Sequence, residues 1–307
     1  MHYKPIMEPF TFPVRIIDTE KQKAVYLGNK ESRKCMFCGK AKGEVTFKKD
    51  AHVIPASLGN RILFNYNECD DCNEHHFGVH ENELANYLML DRVFIGARKR
   101  VGLPKYRPNP KGGNSMEHLP DSNTVSIKLD DLEDRFEIIN DDESKNIIFK
   151  INDPLPYRPV DICKSLTHMV WPFLSKDRRD NLKHIPQWLL GEFDILPLYL
   201  DVAFVPGNGF SKVILECWES KDGNFPLMVR FTFGLKILTF YIPASKSLSK
   251  APIRNEIYIQ IPEHIEELSV DGLKINENKR LRPDYLTYTM SYNSAEELDL
   301  EKDDSRK

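Results

Sequence analysis

Apolar and polar positions change rhythm several times along this 307-residue chain. Near the start, Phe10, Phe12, Val14 and Ile16 alternate with other residues, the period of two expected of an extended segment. Residues Val45 to Pro55 read as a strand ended by proline, and Ile62 to Asn67 as a second short strand. After Cys72, Leu84, Leu88 and Val93 recur at spacings of four and five, which predicts the inner face of a helix. Short strands are predicted over 124–129, 135–139 and 146–151. The stretch Pro159 to Phe173 takes a helical period through Ile162, Leu166, Met169-Val170 and Phe173. A second helix is predicted from Ile185 to Phe193, around Trp188 and Leu189-Leu190. Apolar or alternating runs over 213–218, 228–233, 237–242 and 257–261 then predict further strands. Helices beside a mainly antiparallel sheet, an α+β class, is the architecture this order implies.

These rhythms divide the chain into an extended lead-in (1–33), a compact module with a basic connector (34–114), a larger α+β domain (115–295) and a charged tail (296–307) expected to be disordered. Composition adds limits. Hydrophobic residues make up 41% and charged residues 29%, ordinary for a globular chain, and the net charge of -3 announces no global nucleic-acid affinity. No apolar stretch approaches the roughly 18 residues of a membrane span. The first residues lack the apolar core of a signal peptide, so a cytoplasmic location is expected.

The six cysteines are unevenly placed. Cys163 and Cys217 stand alone in apolar surroundings and are expected to be buried. The other four form two C-x2-C pairs, Cys35/Cys38 and Cys69/Cys72, with Gly39 directly after the first. Two such knuckles in one chain point to a four-cysteine structural Zn2+ site, because each tight turn presents two thiolates to one ion. The 30 residues between the pairs exceed what a simple zinc ribbon needs. Strand, long loop, short strand and helix follow in order, with the zinc tying the entry of the first strand to the start of the helix.

The motifs Cys35-x2-Cys38, Asp50-Ala51-His52-Val53-Ile54-Pro55, Ser57-Leu58-Gly59-Asn60 and Cys69-x2-Cys72-Asn73-x4-Gly78 together resemble the zinc-containing branch of the HNH endonucleases, the ββα-metal fold. The resemblance spans residues 34 to about 90. It implies metal-dependent hydrolysis of phosphodiester bonds, DNA ahead of RNA. His52 would be the general base, a role suited to a side chain that titrates near neutrality. Asn73 would be the helix-borne ligand of a catalytic divalent ion, Mg2+ or a similar one. Asn65 best matches the middle asparagine that orients loop and base, with Asn67 its competitor. One departure stands out: many HNH sequences carry an acidic ligand immediately before the histidine, where this chain has Ala51. Asp50, two before His52 and so on the same side of a strand, is the candidate replacement, or else a solvated strand-start residue. His76, one turn from Asn73, is a further candidate for the ion or a phosphate.

Arg92, Arg98, Lys99, Arg100, Lys105, Arg107 and Lys111 make the connector basic, interleaved with Phe94 and Tyr106. Cations and aromatics in that mixture suit phosphate contacts beside a nuclease site, which makes nucleic acid the expected partner. Self-association or a defence-system partner is left open, because restriction and antiphage effectors often pair such a module with a second domain. The competing reading is a non-catalytic zinc module that binds nucleic acid or protein, with Ala51 marking lost activity.

Overall fold

The computed structural model describes residues 3–13, 23–98, 102–109, 111–120, 124–129, 136–141, 146–205, 210–221, 223–248, 250–252 and 269–291. Val14, Ile16, Lys99, Arg100, the strand expected at 257–261 and the tail 296–307 lie outside them. The strands in chain order are β1 (Tyr3–Pro5), β2 (Phe10–Pro13), β3 (Val25–Leu27), β4 (Ala51–His52), β5 (Leu63–Asn65), β6 (Lys105–Tyr106), β7 (Ser115–His118), β8 (Val125–Lys128), β9 (Phe136–Asp141), β10 (Asn146–Asn152), β11 (Leu198–Phe204), β12 (Phe210–Ser220), β13 (Leu227–Gly234), β14 (Lys236–Ile242), β15 (Ser269–Ile275) and β16 (Tyr285–Ser291). The α-helices are α1 (Gly78–Tyr87), α2 (Met89–Phe94), α3 (Pro159–Val170), α4 (Lys176–Asn181) and α5 (His184–Leu189).

The largest sheet is antiparallel, in the order β1-β12-β13-β14-β11-β15, with β2 also paired to β12. Its central strands are buried on both faces, and period two explains how. Val229, Phe231 and Phe233 of β13, with Leu238 and Phe240 of β14, face a core shared with α3. The alternate residues Met228 and Tyr241 pack with Tyr3, Tyr199 and Phe225 on the opposite face. Smaller sheets β16-β10-β9, β6-β7-β8 and β3-β5-β4 surround it. The α+β expectation with a mainly antiparallel sheet is met; α3 falls within its predicted stretch, while α5 starts one residue before its own and ends at Leu189, short of Phe193.

Three features differ from the sequence reading. Residues 3–13 are not a separate lead-in, because β1 and β2 extend the large sheet, while β3 joins the cysteine-bearing module. The long strand expected up to Pro55 shrinks to Ala51–His52, because the Lys48 and Lys49 amides bond to the Asp70 carboxylate instead of a partner strand (both 2.9 Å). The strands β6, β7, β11, β15 and β16 and helix α4 were not anticipated. The module also has no private core. Cys35, Cys69, Cys72, Phe77 and Leu84 belong to the same buried cluster as Ile162, Leu166 and Trp188. Strands of two or three residues bury too little surface to stand alone, so the module leans on α3.

Helix α2 anchors the opposite side. Asp91 is fully buried, accepts a hydrogen bond from the Leu235 amide (3.0 Å) and pairs with Lys236. The β13–β14 turn comes so close that a Cβ on Gly234 would lie 2.7 Å from that of Asp91, and Gly234 also has φ +60°, so glycine is required twice over.

Candidate active site

The two cysteine knuckles are built by short turns. The Gly39 amide donates to the Cys35 carbonyl (3.0 Å), with Gly39 at φ +74°, and the Cys35 amide donates to the Lys40 carbonyl (2.8 Å). Met36 N donates to the Asn67 carbonyl (2.9 Å), which draws the first knuckle onto the second. All four Sγ atoms lie within 4.8 Å of one another. Cys35–Cys72 and Cys38–Cys69 are each 3.8 Å apart, far beyond a disulfide at about 2.05 Å. Four sulfurs at about 2.3 Å from a tetrahedral Zn2+ are separated by about 3.8 Å, so the geometry fits the ion.

The protonation chemistry agrees. The hydrogen bond between the Cys35 and Cys72 sulfurs holds Cys35 down to about 5 and pushes Cys72 up. Burial pushes Cys69 up to about 12. Clustered thiolates repel one another, and a dication among them is what allows all four to ionise.

A second clamp sits beside the first. The Asp70 carboxylate, next to Cys69, accepts from the Thr46 hydroxyl and from the Lys48 and Lys49 amides. Burial opposes its charge, but these donors outweigh burial and hold the carboxyl below its ordinary range. Lys49 also pairs with Glu74. The chain entering β4 is therefore held against the start of the following helix. That helix opens as one wide π turn, Cys72–Phe77, closed by the Gly78 amide on the Asn73 carbonyl. Such turns recur at functional sites. Asn73 is half-buried on this turn, and its side-chain amide makes no hydrogen bond among the described residues.

The sequence model of the HNH endonuclease family matches residues 35–88. Residues 35–88 are an HNH endonuclease domain. No curated protein and no solved structure matches the chain.

Within the HNH domain, β4 pairs with β5 so that His52 faces Phe64 and Ala51 faces Asn65. His52 is half-buried, with its ring 4.8 Å from that of Phe64. On the same face Tyr26 stacks on Phe64 (5.1 Å) and on Tyr66 (4.5 Å), and Asp50 Oδ2 lies 3.4 Å from the Tyr26 hydroxyl. Asp50 is exposed and precedes the strand, yet it borders the His52 face. Ala51 and Asn65 point the other way, into the interior. Asn65 accepts from the Asn67 amide (3.0 Å) and lies 3.5 Å from Glu68, so it does not share a face with the base it was expected to orient. Asn67 bonds to the Lys34 carbonyl and the Asn29 amide.

The residue that ties the loop is Asn60. Fully buried, it donates to the Ile54 and Leu63 carbonyls and accepts from the Ile62 and Leu63 amides, all within 3.1 Å. Its signal was its place directly after Gly59, which takes φ +94° at the end of the 56–58 turn. Sequence reasoning also missed Arg33 and Lys30, whose charges lie 4.9 and 5.9 Å from the Tyr66 ring. Another omission was the buried pair of His168 Nε2 with Glu68 Oε2 (3.0 Å), formed across 100 positions.

The basic connector needs a correction. Arg92 is 4% exposed and donates to the Ser57 and Ala85 carbonyls, so it braces α2 and is no surface contact. Lys105 pairs with Glu117 at 2.8 Å. Arg98 and Arg107 are exposed. His76 turns away toward the larger domain, its Nδ1 3.1 Å from the Leu190 carbonyl.

Proposed function

We infer that the protein is a metal-dependent endonuclease that hydrolyses phosphodiester bonds, with DNA as its main substrate. The observation that carries this is the double clamp, four cysteines and Asp70, that fastens the approach to His52 onto the turn bearing Asn73. Rigid placement of base and ligand is what such a reaction demands of a protein. His52 takes the proton from the attacking water, its ring steadied against Phe64. The Asn73 side-chain amide, which makes no hydrogen bond among the described residues, and the Asp50 carboxylate would hold the divalent ion. Among the described residues only the four cysteines form a larger cluster of metal-binding side chains, and a sparse ligand set suits Mg2+, which keeps several waters and takes few protein ligands. When bound, that ion supplies charge neutralisation at the scissile phosphate and the leaving oxygen. Zn2+ at Cys35, Cys38, Cys69 and Cys72 is structural. Exposed Arg98 and Arg107, together with Arg33 and Lys30, receive the backbone of the nucleic acid. A role in antiphage defence or restriction is part of the same proposal, by analogy of domain pairing.

The non-catalytic alternative rested on Ala51. That position faces inward at 1% exposure, so an acid there would be buried on the side away from His52, and its absence weighs little against catalysis. The test is incubation of the purified protein with plasmid, linear and single-stranded DNA and RNA, in Mg2+ or EDTA, beside His52→Ala. Cleavage that needs the metal and vanishes in a zinc-loaded, folded His52→Ala protein is expected. Undiminished cleavage by that variant removes His52 as the base.

A further inference from the structure

Between the HNH helix and the larger domain lies a cavity of about 360 Å³, lined by His76 and Val79 on one side and by Arg158, Lys164, Phe193 and Asp194 on the other. That volume is within the range of sites for small organic ligands, about 300–1,000 Å³. Lys164 is the unusual member. It is 4% exposed, and among the described residues it makes no hydrogen bond and has no carboxylate within 4 Å. Its one close partner is the Trp188 ring, 5.6 Å from Nζ. Burial lowers its pKa, with Asp161 and Asp194 acting against that from a distance. A largely buried ammonium whose carboxylates lie beyond pairing distance is costly, and such a group facing a cavity is a candidate for a ligand's charge. Neighbouring Arg158 spends one nitrogen on Asp161 (3.4 Å), while its Nε has no partner. Asp161 is already committed, lying 2.8 Å from His80. Asp194, exposed at the rim and bonded to Asn278 (2.9 Å), is an acceptor suited to sugar hydroxyls.

We propose that this cavity binds a phosphate-bearing ligand of mononucleotide size, its phosphate at Lys164 and Arg158 and its sugar toward Asp194, and that occupancy restrains the helix carrying Asn73. The second half rests on the nuclease reading; the first does not. His76 and His80 already bind the Leu190 and Leu189 carbonyls, so a ligand wedged beside them bears on a seam that links α5 to that helix.

The test is calorimetric titration and thermal melting of the full chain with inorganic phosphate, AMP, GMP, CMP, UMP and a six-nucleotide DNA strand. The expected result is one mononucleotide bound per chain with a raised Tm. Lys164→Met, which keeps the stem over Trp188, should weaken that binding at least tenfold without lowering the Tm of the ligand-free protein. His52→Ala protein should bind as tightly as wild type, which separates this site from a failure of the nuclease reading. Absence of any mononucleotide binding at millimolar concentration overturns the proposal. So do unchanged affinity in Lys164→Met, a ligand-free variant that melts well below wild type, and sensitivity to Lys164 confined to the DNA strand, which makes the cavity a substrate contact. Slowed amide exchange over 73–79 on binding is expected for the coupling, and unchanged exchange removes that half.

Discussion

In β13 and β14, eight and seven residues long, every position is buried, whereas β4 and β5 of the HNH domain have two and three residues and lean on side chains for their order. The large sheet is held by apolar burial on both faces. The HNH domain is held by four sulfurs around one point, by Asp70 gripping three groups and by Asn60 making four hydrogen bonds. Burial is distributed and tolerant; clamps are local and concentrate stability in few atoms. A site that must place a base and a ligand to a fraction of an ångström gains from the second kind of order. Between the two regions runs a polar seam, His168–Glu68 and His80–Asp161, within a shared apolar core.

The largest expected break comes from the metal. Structural zinc is worth about 10–16 kcal/mol in isolated zinc-finger peptides, so Cys72→Ser or strong chelation should abolish zinc binding and speed amide exchange across 35–88 while exchange in β13 and β14 changes far less. Uniform acceleration in both regions would erase the contrast. Next, Phe231→Ala in the sheet core should cost about 3–5 kcal/mol in denaturant unfolding yet leave one zinc per chain by atomic absorption.

Asn60→Ala deprives the Ile54 carbonyl and the Ile62 and Leu63 amides of their partner, while the Leu63 carbonyl keeps the Val53 amide. It should cost about 2–4 kcal/mol, a large loss for one small polar residue. A loss no greater than that of an exposed asparagine would deny it the clamp role. At the seam, burial opposes ionisation of Asp161, but His80, Arg158 and Lys164 outweigh it and hold its carboxyl below the ordinary range. Its contribution is therefore present above the unfolded value, about 3.9, and is lost as pH falls through the lowered folded value. Asp161→Asn should cost about 1–3 kcal/mol at neutral pH and flatten the acid limb of a stability–pH curve. The smallest effect is at the surface. Arg98→Gln and Arg107→Gln should each reduce the salt dependence of DNA binding by about one counterion, whereas Arg92→Gln should lower stability and leave that slope alone.

Much of the HNH domain was legible because its chemistry is written in short spacings. Two C-x2-C pairs, His52 before Val-Ile-Pro and Asn73 directly after Cys72 lie within 39 positions, from 35 to 73. The larger domain announced its antiparallel strands through period two, but not their order, since pairing β1 to β12 joins residues more than 200 positions apart. Arg92 misled because a cation in a basic run looks solvated until its carbonyl partners are known.

By itself, the amino-acid sequence determined the two cysteine knuckles, because each tight spacing brings two thiols to one turn, and the family resemblance of its motifs supplied the candidate base and ion ligand. Only the tertiary structure decided which asparagine ties the loop, which way Ala51 and Asn65 face, and that Lys164 and Arg158 meet His76 around a common cavity. Facing depends on strand register, and burial depends on what packs from elsewhere in the chain. Neither is encoded in the interval between neighbouring residues.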